Sequence, residues 1–268
     1  NQAVAAARMG ANVSMIGAVG SDSFGKDLVD SLNHEQINTE FVYEKPDVST
    51  GVALIQVDQK GNNSISVASG ANFCLTNEDI ANAFRSIGEF DALLMPLETP
   101  IEQVTHAAKM ASKIGAKVIL NPAPAQLLEK NLLELVDVLI PNEHEVGLLV
   151  KNKKTEVEMN LVDAAEKLIS ANVDHVLVTL GSKGSILVNR LNREGFSIPS
   201  FAVEAVDTTA AGDCFMGAFS VAMIEGNPIV DAAKLASAAA AISVTRAGAQ
   251  TSLPYRDEVE AFIKEKTQ

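Results

Sequence analysis

Apolar positions along this chain follow two rhythms that take turns. Nearly unbroken apolar runs cover residues 13–19, 51–57, 92–95, 117–120, 138–140 and 176–180, and apolar residues alternate with serine at 64–67. Between them lie stretches with the three-to-four-residue spacing of amphipathic helices, at 24–32, 76–87 and 161–170. A further helix is predicted from Thr99, Pro100 and Glu102, which supply an N-cap, a first-turn proline and a capping-box acid, on to about residue 114. Helical runs at 212–225 and 229–245 close the pattern, and a short one at 3–9 ends on Gly10. Residues 92–95, apolar throughout, read as a strand buried on both faces. Strand–helix alternation of this kind predicts an α/β fold with a doubly wound, mostly parallel sheet flanked by helices. One place breaks the rhythm. Asp58-Gln59-Lys60-Gly61-Asn62 is turn chemistry between two strands, so residues 49–70 read as a hairpin forming part of a small β lid.

No repeat, low-complexity tract or linker divides the chain, and residues 1–268 are read as one domain. With 47% hydrophobic residues it can bury a large core. It opens at Asn1 directly on a helical pattern, so the expectation is of a domain whose N-terminal portion is missing. The balance of 34 acids against 21 bases, a net charge of −13, repels phosphate backbones and anionic lipid. Neither nucleic acid nor membrane is expected as a partner. Two cysteines, Cys74 and Cys214, cannot build a disulfide framework, which suits a cytoplasmic location. The histidines show no metal spacing with the cysteines or with one another, and Cys214 reads as core.

Ligands of doubly wound sheets bind beyond the carboxyl ends of the strands, and four polar loops fall at such ends: 96–99, 121–124, 142–145 and 181–184. A fifth stretch, 206–219, carries the sharpest chemistry. Asp207, Thr208 and Thr209 lead through Ala210, Ala211 and Gly212 into an apolar helix. Three small residues at a helix start leave its amides bare, and bare amides at the positive end of a helix dipole hold anions. Asp213 then puts a carboxylate where an anion is expected. That suits a proton acceptor, or a first-turn acid behind an Asp207 or Thr208 cap.

Other motifs divide in the same way. Gly20-Ser21-Asp22-Ser23-Phe24-Gly25-Lys26-Asp27 resembles a P-loop until its last position, where Asp27 replaces the magnesium-ligating hydroxyl, so it reads as a glycine-rich turn. Thr179-Leu180-Gly181-Ser182-Lys183-Gly184 is either an anion nest or a tight turn. Asn142 and Glu145 either cap a helix or organise magnesium through water. Glu98 is a solvated loop acid or a grip on sugar hydroxyls. Gly248 suits a left-handed helix C-cap, which would leave the preceding carbonyls free for a cation shared with Asp207.

Taken together, these residues resemble the ribokinase-like family of carbohydrate kinases. The resemblance rests on Asp207 through Asp213, on the stretch 240–250, on Asn121-Pro122-Ala123-Pro124-Ala125, on Pro141-Asn142-Glu143 and on Ser49 through Leu54. It runs in order over nearly the whole chain. It implies transfer of the γ-phosphoryl group of ATP to O5 of D-ribose, with Asp213 as base and the amides of Ala210, Ala211 and Gly212 as anion hole. Asn1 and Glu98 would bind the sugar beside Asp213, with Ala53, Ile55 and Ile65 flanking it from the lid. Asn142, Thr179, Gly181, Ser182, Lys183, Gly184, Gly212 and Ser237 would face ATP. Glu145 would organise Mg2+ through water. Asp207, Thr209, Ser243, Arg246, Gly248 and Ser252 would surround K+. Relatives often pair through their lids, so a homodimer is implied. The rival readings are a sister kinase acting on deoxyribose, fructose or a nucleoside, and a sugar- or nucleotide-binding protein without catalysis.

Overall fold

The computed structural model describes residues 1–57, 63–150, 160–171, 173–191 and 193–266, with backbone alone at 55–57 and 63–65. The first elements are α1 (Gln2–Arg8), β1 (Ser14–Gly20), α2 (Ser23–His34), β2 (Asn38–Lys45), β3 (Val52–Val57), β4 (Asn63–Ala68) and α3 (Asn77–Ile87). There follow β5 (Ala92–Met95), α4 (Ile101–Lys113), β6 (Lys117–Leu120), α5 (Lys130–Leu133), β7 (Val138–Leu139), α6 (Glu143–Val150), α7 (Leu161–Ser170) and β8 (His175–Thr179). The last are β9 (Ser185–Asn189), β10 (Phe196–Ile198), α8 (Ala211–Ile224), α9 (Ile229–Ser243) and α10 (Arg256–Lys266). The chain packs as two compact units. One comprises residues 1–13, 89–97 and 108–268, and the other residues 14–88 and 98–107.

The larger unit is built on a six-stranded sheet of order β10-β9-β8-β7-β6-β5. Strands β5 to β8 run parallel, and β9 and β10 continue the sheet antiparallel. The expected mostly parallel, doubly wound sheet is thus present. Val118, Ile119 and Leu120 of β6 and Val176, Leu177 and Val178 of β8 are fully buried, as central parallel strands should be. Strand β5 differs from expectation. It lies at the end of the sheet, so Ala92, Leu93 and Leu94 are only half-buried and Met95 alone is sealed. Helix α8 is apolar all round, and every residue from Cys214 to Ala222 is buried. Gly217 lets α1 come within backbone contact of it: a β-carbon there would lie 2.5 Å from Ala5 Cβ and 2.7 Å from Ala6 N. Strands β2, β9 and β10 and helix α10 had no counterpart in the sequence reading.

In the smaller unit β1 and β2 pair in parallel, and β3 and β4 form the expected antiparallel hairpin. Its turn, 58–62, lies outside the described residues. The P-loop-like run turns out to build the base of that hairpin. Asp22 caps α2, accepting at Oδ1 from Gly25 N–H (2.9 Å) and Thr50 Oγ1 (2.6 Å), and at Oδ2 from Thr50 N–H (2.8 Å). Thr50 Oγ1 in turn accepts from Gly20 N–H at 2.9 Å. These bonds from Thr50 and Gly25 hold the Asp22 carboxyl below its ordinary range. The glycines serve packing: a β-carbon on Gly20 would collide with Val48 O, and one on Gly25 with Gly20 O. On α3, Thr76 and Asp79 form a capping box, and Lys45 pairs with Asp79 at 2.7 Å.

Thr50 is buried, so Thr50→Val strands the Gly20 N–H without its acceptor. The loss should be about 1–3 kcal/mol of unfolding free energy, read by denaturant titration. An unchanged midpoint would remove the network's role.

Candidate active site

Helix α8 begins abruptly because Ala210 sits in the left-handed region at φ 61, and no side chain caps the helix. The first helical bond, Cys214 N–H to Ala210 O, is 2.8 Å, and Ala211 N–H reaches back to Thr208 O at 3.3 Å. A β-carbon at Gly212 would meet no protein atom within 4 Å, so the space over this turn is open. Open space, bare amides and a positive dipole end are what binding of an anion needs.

Asp207 holds the preceding loop in place. Its Oδ1 accepts from Thr209 N–H and its Oδ2 from Gly248 N–H, each at 2.9 Å. Those bonds, Gly248 first, keep its carboxyl below the ordinary range. The expected C-cap at Gly248 is corrected: α9 ends at Ser243, and Gly248, at φ +95, lies in the loop beyond. Nor is every carbonyl there free, since Val244 O accepts from both Val206 N–H (2.7 Å) and Asp207 N–H (3.1 Å). Ser243 and Ser252 are fully buried, and their hydroxyls donate to Ala240 O and Ala249 O. The Arg246 side chain pairs with Glu258 at 2.5 Å, and Arg8 donates to Gln250 O (2.9 Å) and Leu253 O (2.6 Å). The loop is therefore bound at both ends. Cys214, behind the anion site, is buried, which pushes its thiol up to about 12; it is core, as expected.

Asp213 meets amides. Asn1 Nδ2 donates to its Oδ2 at 2.9 Å, which joins two of the expected site residues. Gln2 Nε2 donates to its Oδ1 at 3.0 Å and to Asn121 Oδ1 at 3.3 Å, while Asn121 Nδ2 donates to Ile140 O at 3.0 Å. Sequence reasoning missed Gln2; its only signal was its place at the head of α1 beside Asn1. Asn121 belongs to the polar strand-end loop 121–124, whose sequence points to no partner.

At the ends of β7 and β8 the structural readings hold. Asn142 caps α6, its Oδ1 accepting from His144 and Glu145 N–H, and Glu145 Oε2 accepts from Asn142 N–H at 2.8 Å. That is a capping box. Burial raises the Glu145 carboxyl against this bond. Asn142 and Thr179 form a parallel bridge, so the two loops do meet. Residues 180–184 make a tight turn, closed by Leu180 N–H to Gly184 O (2.8 Å), which leaves Gly181, Ser182 and Lys183 exposed. Ser237 is buried within α9.

Four expected sugar contacts belong to the smaller unit. Glu98 is exposed just beyond β5. The hairpin register pairs Ile55 with Ile65 and Ala53 with Val67, which puts Ala53, Ile55 and Ile65 on one face. The side chains of Ile55 and Ile65 lie outside the described residues.

An uncapped helix start with an acid in its first turn, on a mostly parallel α/β sheet, suits phosphoryl transfer. The family described as pfkB family carbohydrate kinase matches residues 1–256, and the chain belongs to it. It is 44% identical to a ribokinase of Haemophilus influenzae, over 98% of this chain and 85% of that protein. It is 35% identical to a deoxyribokinase of Salmonella typhi over the same shares. An Arabidopsis thaliana ribokinase solved with ribose and ATP superposes with a TM-score of 0.87 at 30% identity, covering 98% of this chain and 85% of that one. The protein is a kinase. Among the described residues no helix is long and apolar enough to cross a membrane.

Proposed function

We propose that the protein transfers the γ-phosphoryl group of ATP to O5 of D-ribose, with Asp213 as base. The observation that carries this is the Asp213 carboxylate standing in the first turn of α8, next to the open space over Gly212. An alkyl hydroxyl is too weak an acid for a carboxylate to ionise outright. Asp213 therefore orients the hydroxyl and takes its proton late, as the oxygen lone pair forms the bond to phosphorus. The bond from phosphorus to the bridging oxygen breaks with its electron pair going to ADP. The Gly212 and Asp213 amides, with Ala211 as far as its long bond to Thr208 allows, meet the charge spread over the phosphoryl oxygens. Asn1 and Glu98 bind sugar hydroxyls, and Ala53, Ile55 and Ile65 border them. Asn142 and the exposed 181–183 turn receive the nucleotide. Ser237, being buried, borders it only from within α9. Glu145 would hold a water of Mg2+ brought in with ATP, and that ion would supply positive charge against the phosphates.

A coupled assay of ADP release over D-ribose, deoxyribose, fructose and nucleosides tests the reading. D-ribose should turn over fastest. Asp213→Asn should slow it about 10²–10⁴-fold, with ATP still binding. Gly212→Ala should melt at the parent temperature or above, since the space is open, yet lose activity because its methyl group occupies the phosphoryl position. Near-parental turnover by Asp213→Asn contradicts the base assignment, and a preference for deoxyribose moves the protein to the second relative's substrate.

The Asp207 carboxylate and the carbonyls of the 243–248 loop are hard oxygen donors that suit K+, and Arg246 turns its charge away to Glu258. Thr209, Gly248 and Ser252 complete the ring of backbone around that position. A cation held there would add positive charge behind the anion hole. Replacing K+ by tetramethylammonium should lower turnover, and indifference to the exchange removes this assignment.

The hairpin exposes Leu54 and Val67 at 66% and 64%, on opposite faces of a two-stranded sheet. Such a sheet gains by pairing with a second copy, and we infer a homodimer through the lid. Sedimentation should give a dimer that Leu54→Asp dissociates; a monomeric parent contradicts this.

A further inference from the structure

We propose that Gln2 is a positioning residue for phosphoryl transfer. It anchors Asp213 through Oδ1, so that Oδ2 is the oxygen that takes the sugar proton. The inference rests on Asp213 being the base. A chain of hydrogen bonds fixes the orientation of each amide. Ile140 O is an acceptor, so the Asn121 amide must turn its Nδ2 toward it, at 3.0 Å. That turns Asn121 Oδ1 toward Gln2, and Gln2 meets it with Nε2 at 3.3 Å. The same Nε2 reaches Asp213 Oδ1 at 3.0 Å. A flipped Gln2 amide would set its oxygen against two acceptor oxygens at once, so both Nε2 hydrogens are committed by geometry.

The cost of this orientation is visible. Gln2 Oε1 is buried with no hydrogen-bond partner among the described residues. An orphaned buried acceptor is a standing penalty. The arrangement keeps that penalty and holds the carboxylate. Asp213 Oδ2, by contrast, accepts from Asn1, whose exposed amide can yield to an incoming hydroxyl. The two oxygens are therefore unlike: Oδ1 is tied, through Gln2 and Asn121, to the ends of β6 and β7, and Oδ2 faces an exchangeable partner. Packing supports the placement, because Gly217, one turn after Asp213, brings α8 against Gln2 O itself.

Gln2→Met keeps the length of the side chain and removes the donor. Misplacing a reacting group by about an ångström costs up to about 10²-fold, so kcat should fall about ten- to a hundredfold. KM for sugar and for ATP should stay within about twofold of parent by the same reading, because the residue touches neither. The distinguishing step is a double-mutant cycle in the Asp213→Asn background, where Gln2→Met should cost nothing further. A full additional loss there means a merely structural role and overturns the proposal, as does a parental kcat for Gln2→Met alone. An active Asp213→Asn overturns the base assignment instead, so the two failures are told apart. Melting temperatures check folding. If Gln2→Met does not fold, Asn121→Leu, which frees Gln2 to rotate, must show the same non-additive loss with Asp213→Asn; additivity overturns the proposal.

Discussion

Two helices touch backbone to backbone at Gly217, and the site depends on that contact. No residue with a side chain fits there without moving Ala5, Ala6 and Gln2. Because side chains four apart share a helix face, Asp213 lies one turn from the contact and on the same side. The approach of α1 thus delivers Asn1 and Gln2 to the acid. Had α1 stood a side chain's width further off, the Asp213 carboxylate would have lost both amide partners. A packing constraint in the core therefore fixes the position of the Asp213 carboxylate, the base we propose.

The other end of the arrangement is electrostatic. Helix α8 is buried along most of its length, so its dipole is poorly screened, and Ala210 in the left-handed region starts it without a capping side chain. A non-glycine residue at positive φ is a small strain that the surroundings must hold. Here Asp207 holds it, bridging Thr209 and Gly248, while Arg8 and the Arg246–Glu258 pair fasten the loop on the far side. Arg8 also closes α1, so one short helix holds both the Asp213 carboxylate and the loop behind the start of α8. The open turn and its rigid support form one piece.

Much of this was legible in the chain because it depends on local rules. Strand β6 and helix α7 match their expected bounds to the residue, since unbroken valine, isoleucine and leucine in one and clear helical periodicity in the other leave little choice. The run 207–213 announced itself through three small residues before an apolar helix. What was lost depends on contacts distant in sequence. Gln2 and Asp213 are 211 residues apart, and no spacing rule reaches that far. Helix α10 was passed over because its charged surface blurs its apolar stripe, and β10 because three residues carry no period. Gly248 was misplaced for a related reason: a glycine after a helix suggests a cap, but only the fold shows that its N–H belongs to Asp207.

One oxygen of Asp213 is anchored by Gln2, and we propose that the other meets the sugar hydroxyl. A crystal structure of the protein with D-ribose and a non-hydrolysable ATP analogue tests it most directly. The sugar's O5 should lie within hydrogen-bonding distance of Asp213 Oδ2, with Oδ1 still on Gln2 and the γ-phosphate over the amides of Gly212 and Asp213. A sugar hydroxyl resting on a different acid, or a γ-phosphate away from the start of α8, would contradict it.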